Sequence, residues 1–169
     1  NLSRRACPLP QVNNISCDLS SDAEIAAACS VLRGAIAQNS STVLVHNASQ
    51  MLKDSTSDCD SGELRQVLET NVVAINSLNQ QLLPLLGATS SVIYVGSTLS
   101  EKAVAGSFSY VVSKHAQLGM MRATCQDLMG SGIHTALVCP GFTDTEMLRT
   151  HLGNDPAVEQ SIAAMNSFK

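Results

Sequence analysis

Strand-like and helical segments alternate along this chain of 169 residues. Apolar, strand-like runs occur at residues 12–19, 42–45, 91–96 and 133–138. Helical patterns separate these runs at residues 21–38, 63–86 and 107–129, and shorter ones follow at residues 144–151 and 156–165. Strands that alternate with helices form βαβ units, in which the strands are parallel and the helices cover the sheet. The alternation therefore predicts an α/β fold, and residues 1–169 are long enough to form it as a single domain.

Local signals mark the ends of the predicted helices. Ser21-Asp22-Ala23-Glu24 is a capping box, in which the two outer side chains bind backbone N–H groups at the start of the first helix. Pro84 and Gly87 predict the end of the second helix, and the Gly130-Ser131-Gly132 segment predicts the end of the third. Residues 53–62 and 99–106 are predicted loops.

Composition excludes several classes of function. Lys and Arg number 10 against 14 Asp and Glu, a net charge of −4, whereas a nucleic-acid surface would be basic. No apolar stretch is long enough to span a membrane, and we expect a cytoplasmic protein. The six cysteines contain no C-x-x-C pair and match neither a zinc site nor a disulfide framework. We therefore expect reduced, buried thiols and no metal site.

Tyr110 and Lys114 are four residues apart, so their side chains lie on one face of the predicted third helix. A free phenol, with a pKa of about 10, is a poor acid or base at neutral pH. An ammonium beside it favours the phenolate and lowers that pKa, which would let the pair transfer a proton at a carbonyl or alcohol oxygen. The same spacing also occurs in surface pairs that have no catalytic role.

Three further segments follow predicted strands directly. Asn47 lies just after residues 42–45, Ser97 comes directly after residues 91–96, and Pro140-Gly141 follows residues 133–138. Because ligands bind beyond the carboxyl ends of the strands in open α/β sheets, we expect these segments to meet in one site. Ser97 has an alternative role, as a hydroxyl that caps the loop after its strand.

Together and in this order, these motifs resemble the short-chain dehydrogenase/reductase family. Its Asn-Asn-Ala-Gly motif is similar to His46-Asn47-Ala48-Ser49, and its Pro-Gly-x-x-x-Thr motif falls on Pro140, Gly141 and Thr145. Its catalytic Asn, Ser, Tyr and Lys fall on Asn71, Ser97, Tyr110 and Lys114. The resemblance implies a Rossmann-like, doubly wound parallel sheet. It also implies an NAD(P)-dependent oxidoreductase that interconverts a carbonyl and a secondary alcohol.

The resemblance implies a role for each catalytic residue. Tyr110 would be the general acid and base, and Lys114 would lower its pKa and bind the nicotinamide ribose. Ser97 would hydrogen-bond the substrate oxygen. Asn71 would hold a water that leads to Lys114 and provides a route for protons to leave.

The resemblance also implies NADP(H) or NAD(H) as cofactor. Asp18 and Leu19 would lie at the adenine, Asn47, Ala48 and Ser49 at the adenosine ribose, and Pro140, Gly141, Thr143 and Thr145 at the nicotinamide. Arg4 and Arg5 fall where family members that prefer the 2′-phosphate carry a basic residue. Guanidinium groups suit phosphate through charge and geometry, which favours NADP over NAD. Alternatively, both arginines are solvated surface charges.

The chain also departs from the family pattern. It contains no T-G-x-x-x-G-x-G turn, and the match leaves out the first and last strands of the family, so we expect a sheet that is incomplete at both ends. His46 and Ser49 replace an Asn and a Gly of the family motif. The absent turn favours an alternative function, a non-enzymatic or inactive Rossmann-like module for binding or regulation, whereas the complete Asn-Ser-Tyr-Lys set favours the enzyme.

A homodimer or homotetramer is implied by the same resemblance, through a four-helix interface built from residues 63–86 and 107–129. The two helical patterns carry more apolar residues than one sheet-facing stripe needs. We expect the surplus at the interface, among Val67, Ile75, Leu78, Leu82, Leu118, Met121 and Leu128.

Overall fold

The computed structural model describes residues 1–36, 41–153 and 156–165, and the predicted alternation of strands and helices is confirmed there. The helices are α1 (Asp22–Ala35), α2 (Ser61–Leu68), α3 (Ala74–Leu82), α4 (Phe108–Asp127), α5 (Glu146–Leu152) and α6 (Pro156–Met165). The strands are β1 (Val43–His46), β2 (Ser91–Val95) and β3 (His134–Val138). The predicted end of the first helix at Gln38 lies outside the described residues.

The three strands form a parallel sheet in the order β1-β2-β3, which confirms the predicted α/β class. Alternate residues of a strand point to opposite faces. Leu44, Val92 and Leu137 share one face, where they pack with helical residues such as Ile75 and Met120 into a hydrophobic core. This face of the sheet is therefore covered by α3 and α4.

The opposite face of the sheet is much less covered. Val43, Val45 and Val138 lie on it and are 61%, 51% and 51% exposed. Within the described residues, β1 and β3 each pair with β2 alone. The sheet therefore leaves one apolar face and two edges unprotected.

A second hydrophobic cluster joins the beginning of the chain to the helices. Ile25 and Cys29 on α1 pack against Leu78 and Leu82 on α3, and Cys17 is buried in the same cluster. This packing fixes Ile15, Cys17 and Leu19 against α1 and α3.

The prediction of a strand at residues 12–19 is wrong. Ile15 forms only a single parallel bridge, to Leu2. The Asn14 side chain accepts a hydrogen bond from the Cys7 backbone N–H at 2.7 Å and donates to the Cys7 carbonyl at 3.2 Å. Asn side chains compete with sheet hydrogen bonds in this way, and here the segment between Cys7 and Asn14 forms a loop instead of leading into a strand.

The long helix predicted for residues 63–86 is divided into segments. It begins at Ser61, because the Asp60 carboxylate accepts from the backbone N–H groups of Gly62 and Glu63. A π-helical turn, Glu69–Val73, separates α2 from α3, and a 3₁₀ turn, Leu83–Leu85, which contains Pro84, ends the segment. Single π turns within helices are frequent at functional sites, and this one carries Asn71.

The predicted capping box forms only in part. The Ser21 hydroxyl accepts from the Glu24 backbone N–H at 3.3 Å, as expected. The Glu24 carboxylate accepts from the backbone N–H of Asp18, at 2.8 Å. Glu24 therefore fixes the loop that carries Asp18 instead of closing the box on Ser21.

The apolar residues expected at an interface are largely internal. Val67, Ile75, Leu78 and Leu82 are at most 6% exposed within a single chain. All four are buried within the single chain, so the argument from a surplus of apolar residues is wrong for these four. The oligomeric state itself stays a prediction.

Candidate active site

The loops after β2 and β3 are hydrogen-bonded to each other at the carboxyl edge of the sheet. The Gly96 N–H donates to the Val138 carbonyl at 2.8 Å, and the Thr98 N–H donates to the Pro140 carbonyl at 3.1 Å. Gly96 has no room for a side chain, since a Cβ there would lie 2.8 Å from the Ser100 hydroxyl. Ser97 and Pro140 are thereby held side by side at the edge predicted from the strand ends.

Tyr110 lies in the first turn of α4, and its side chain is 9% exposed. Burial raises the pKa of its phenol, and the nearby hydroxyls of Ser97 and Ser49 only partly offset that effect. The Ser49 hydroxyl is itself buried and forms no hydrogen bond of standard geometry. Tyr110, Ser97 and Ser49 are therefore neighbours around one phenolic oxygen.

The net result expected from Lys114, a lowered pKa for Tyr110, is not observed here, because the pKa of Tyr110 is raised and burial is the largest cause. The Lys114 Nζ lies 5.3 Å from the centre of the Tyr110 ring. It donates to the Val95 carbonyl at 2.9 Å and to the Gln117 Oε1 at 3.1 Å. The ammonium is thus directed at these acceptors, and burial of the phenol is the larger effect.

Lys114 is itself buried, at 2% exposure. Burial lowers its pKa to about 8, while the Cys139 thiol has a small opposing effect. An amine with this pKa exchanges its proton close to neutral pH. Lys114 therefore combines a fixed position with a perturbed proton affinity, a combination typical of functional sites.

Ser97 adopts the capping role that was its alternative interpretation. Its hydroxyl accepts from the Leu99 N–H at 3.1 Å, and the Ser100 hydroxyl accepts from the Ser97 N–H at 3.2 Å. The reciprocal pair fixes the short turn Thr98–Ser100. Capping also fixes the hydroxyl beside Tyr110, so the two roles are compatible.

Asn71 is fully buried within the π turn. Its side chain exchanges two hydrogen bonds with the backbone of Gln50, at 2.7 and 2.8 Å, and donates to the Ser113 hydroxyl at 2.9 Å. Asn71 thereby ties the loop after β1 to the face of α4 that carries Lys114.

A cavity of about 800 Å³ lies beside this cluster. Its lining includes all of the residues predicted at the adenosine half of a cofactor, which are Arg4, Arg5, Asp18, Leu19, Asn47, Ala48 and Ser49. Thr145 also lines it, although Thr145 was predicted at the nicotinamide. The cavity therefore joins the beginning of the chain to the loop after β1 and to α5.

Charged side chains surround the cavity in pairs. Arg5 contacts Glu146 at 2.9 Å, and Arg4 lies 4.0 Å from Asp18. Hydrogen bonds from the Ser20 backbone and hydroxyl lower the pKa of Asp18, which favours its carboxylate form. Both arginines are more than three-quarters exposed, so they are accessible to a ligand phosphate.

The remaining predicted residues lie in the loop between β3 and α5. The Thr143 hydroxyl donates to the Gly141 carbonyl at 3.3 Å, and the Thr145 hydroxyl accepts from the Leu148 N–H to cap α5. Gly141 and Thr143 are exposed. Of this group, the structure brings Pro140 to the edge beside Ser97 and Thr145 to the cavity.

Sequence reasoning missed two buried residues next to the site. Gln117 is 1% exposed and contacts both Lys114 and Asn71; its position one helical turn after Lys114 was the available signal. Asp54, at 5% exposure, accepts from the Ser109 N–H at 3.1 Å and so caps α4. No local pattern marks Asp54, because its partner is 55 residues away.

The donor set fits an organic dinucleotide better than a metal. Within the described residues, no group of three or more His, Cys, Asp or Glu side chains is arranged to hold a metal ion. The cavity instead offers guanidinium, carboxylate and amide groups together with the buried, unsatisfied Ser49 hydroxyl. No helix among those described is long and apolar enough to cross a membrane.

Comparison with known proteins gives one family match and several partial relatives. The family model described as enoyl-(acyl carrier protein) reductase matches residues 3–169. A 1-deoxy-11-beta-hydroxypentalenate dehydrogenase of Streptomyces exfoliatus is 35% identical over 89 residues, covering 51% of this chain and 32% of that protein. A rhamnolipids biosynthesis 3-oxoacyl-(acyl-carrier-protein) reductase of Pseudomonas aeruginosa is 30% identical over 129 residues, covering 72% and 50%.

Solved structures match over more of the chain. A short chain dehydrogenase family protein from Francisella tularensis superposes with a TM-score of 0.83 at 23% identity, covering 96% of this chain and 65% of that one. The RhlG/NADP active-site complex of Pseudomonas aeruginosa gives a TM-score of 0.77 at 27% identity, covering 89% and 60%. The chain thus spans half or less of these two curated relatives and under two thirds of these two structures.

Proposed function

The chain belongs to the short-chain dehydrogenase/reductase family, and from that premise we propose that the protein is an NAD(P)-dependent oxidoreductase. The reaction is the interconversion of a carbonyl and a secondary alcohol. The observation that carries the proposal is the buried Tyr110–Lys114 pair, held with Ser97 at the carboxyl edge of the sheet. Relatives of the chain are named as reductases and dehydrogenases.

In the proposed mechanism, Tyr110 moves the proton at the substrate oxygen. A nicotinamide cofactor, when bound, supplies or accepts the hydride. During reduction, the Tyr110 hydroxyl donates its proton to the carbonyl oxygen, and during oxidation the phenolate takes it back. The raised pKa of Tyr110 keeps the phenol in the protonated form that reduction requires and also makes it a weaker acid, so the step depends on groups that stabilise the phenolate.

Ser97 and Lys114 support that proton transfer. The Ser97 hydroxyl, fixed by the turn that it caps, orients the substrate oxygen towards Tyr110. Lys114 places a positive charge near the phenol whenever its amine is protonated, and this charge stabilises the phenolate that forms as Tyr110 gives up its proton. Burial of both groups strengthens their interaction, because solvent screens it less.

We propose that the cavity beside the site holds the adenosine part of NADP(H). Asp18, Leu19, Asn47 and Ala48 would line the adenosine, and Arg4 and Arg5 would bind the 2′-phosphate. The NADP complex of the Pseudomonas aeruginosa structure is consistent with this choice. Pro140, Gly141, Thr143 and Thr145 would border the nicotinamide, and Asn71 would support Lys114 through the packing of α4. A homodimer or homotetramer remains part of the proposal.

The test is the substitution Tyr110→Phe in the full-length protein, with ketone reduction followed through NADPH absorbance. The change removes the transferable proton and retains the ring, so we expect turnover to fall by about 10²–10⁴-fold, with NADPH binding retained. Tyr94→Phe is the matched control, because Tyr94 is buried on the covered sheet face and bonds Asn79 and Thr124 away from the site. It should lower stability and leave turnover near normal.

Turnover by Tyr110→Phe close to that of the parent protein would reject Tyr110 as the acid and base. If the parent protein binds NADPH but turns over no ketone or alcohol, the alternative function, a binding or regulatory module, is favoured.

A further inference from the structure

Gln117 is a buried polar residue to which the proposed mechanism gives no role. It lies on α4, one turn after Lys114, and is 1% exposed. A buried amide that lacks partners costs free energy, so its hydrogen bonds identify what it does. Both ends of this amide are paired, and both partners belong to the candidate active site.

The partners of Gln117 fix which end of its amide donates and which end accepts. The Gln117 Oε1 accepts from the Lys114 ammonium at 3.1 Å, and its Nε2 donates to the Asn71 backbone carbonyl at 2.8 Å. An ammonium can only donate and a carbonyl can only accept, so the chemistry of the partners fixes which end of the amide is oxygen. The contact is therefore a directed bridge between Lys114 and the π turn.

We propose that Gln117 is a positioning residue whose amide connects the Lys114 ammonium to the Asn71 carbonyl in place of a water molecule. The family resemblance puts a water at Asn71, leading to Lys114. Here the Asn71 side chain is already bonded to Gln50 and Ser113, and its carbonyl is bonded to Gln117. An amide fixes geometry but does not pass protons on as water does, so the bridge through Gln117 positions Lys114 without carrying a proton.

The surroundings of Lys114 leave Gln117 as its only side-chain hydrogen-bond acceptor among the described residues. The other acceptor is the Val95 carbonyl on β2. Tyr110 on the same helix presents its ring, at 5.3 Å, and the Cys139 thiol at the end of β3 has a small electrostatic effect. Gln117 and the Val95 carbonyl together hold the amine between α4 and β2.

The experiment measures the pKa of Lys114 by NMR of isotopically labelled lysine in the full-length protein, with the signal assigned by Lys114→Arg. Gln117→Met keeps the size and removes the acceptor, so the ammonium form is less favoured and the pKa falls. Gln117→Glu places a carboxylate beside the amine and raises the pKa by about 1 unit or more. A residue that merely fills space would leave the pKa of Lys114 unchanged in Gln117→Met, which is therefore the deciding variant, whereas a carboxylate at this position raises the pKa in either case.

A measurement on the unaltered protein covers the case in which a variant fails to fold. The side-chain amide hydrogens of Gln117 should exchange with solvent much more slowly than those of Gln126, which is exposed on the same helix. Exchange as fast as that of Gln126 would overturn the bridge. A crystal structure with a water bound to the Asn71 carbonyl in place of the amide would do the same.

The effect of Gln117 on turnover rests on the proposed function, whereas the bridge does not. Repeating the pKa measurement in Tyr110→Phe separates the two. If Tyr110→Phe retains turnover while the pKa of Lys114 still falls in Gln117→Met, the acid–base assignment fails and the bridge stands. If turnover is lost but the pKa does not respond, the bridge fails and the assignment stands.

Discussion

At the scale of residues, Tyr110, Lys114 and His46 are ionisable side chains that are each at most 9% exposed. Burial disfavours a charged form. It raises the pKa of Tyr110, lowers that of Lys114 to about 8, and lowers that of His46. All three are therefore shifted towards their neutral forms.

His46 is part of a buried hydrogen-bond network away from the proposed chemistry. Its Nε2 pairs with the Asn79 Oδ1 at 2.8 Å, and its ring packs on Tyr94 with centres 5.2 Å apart. Asn79 donates to the Tyr94 hydroxyl, which contacts the Thr124 hydroxyl on α4. His46, which replaces the Asn of the family motif, therefore links β1 through the core to α3, β2 and α4.

We predict that this network makes stability dependent on pH. The folded pKa of His46 lies below the unfolded value of about 6.5, so the unfolded chain binds a proton that the folded chain does not. Stability is then lost as pH falls through 6.5. Urea unfolding at pH 7.5, 6.5 and 5.5 should show a shallower decline in His46→Asn than in the parent protein.

Tyr94→Phe is the control for that experiment, because it weakens the same network without removing the titrating group. It should lower the free energy of unfolding by a similar amount at each pH. His151, whose pKa is also lowered by burial, is common to all three proteins and cancels in the comparison. Equal slopes in His46→Asn and the parent would contradict the assignment.

Sequence alone could place the candidate residues but not their protonation. The spacing of Tyr110 and Lys114 and the strand-end positions of Ser97 and Pro140 bring them to the same edge, as predicted. The direction of the Tyr110 pKa was missed because it depends on burial, and burial depends on what packs around α4. Gln117 was missed for a related reason, since an apolar residue would satisfy the same helical pattern.

At the scale of elements, α4 is positioned by contacts from distant parts of the chain. Ser107, at its N-terminal end, provides no side-chain cap. The segment at Asp54 forms a parallel bridge with Ser107, and the Asp54 carboxylate accepts from the Ser109 N–H. The alternation of strands and helices was predictable from periodicity. This cap and the π turn were not, because they depend on tertiary contacts.

We predict that Asp54→Ala destabilises the protein through loss of this cap. Burial opposes ionisation of Asp54, but hydrogen bonds from Ser109, Cys59 and Phe108 outweigh it and lower its pKa. Loss of an N-cap costs about 0.5–2 kcal/mol, and each kcal/mol corresponds to a melting temperature lower by about 2–4 °C. Because α4 carries Tyr110 and Lys114, the KM for the ketone should also change.

Asp54→Asn is the matched variant, because it keeps one carbonyl oxygen to accept from Ser109. We expect it to retain most of the stability. Calorimetry that shows equal melting temperatures for Asp54→Ala and Asp54→Asn would show that the cap does not stabilise α4.

At the scale of the whole molecule, the sheet is covered on one face only. α3 and α4 bury Val92 and Tyr94, whereas Val43, Val45 and Val138 on the other face are at least 51% exposed. Most soluble proteins do not leave a contiguous apolar sheet face in water. The family pattern predicts an incomplete sheet, and such a sheet leaves apolar residues exposed, as Val43, Val45 and Val138 are.

We predict that a polypeptide consisting of residues 1–169 alone associates with itself through this face and the edge of β1. Exposed backbone donors and acceptors along an edge strand invite pairing with another chain, and the exposed valines add hydrophobic attraction. Sedimentation velocity at micromolar concentration should show oligomers or larger aggregates.

Val45→Lys, which places a charge at the centre of β1 on the open face, should reduce association, since charged residues protect sheet edges. Val31→Lys is the control, because Val31 is 59% exposed on α1 and lies away from the sheet. A monodisperse monomer before any substitution, or equal association in the two variants, would show that the open face does not drive assembly.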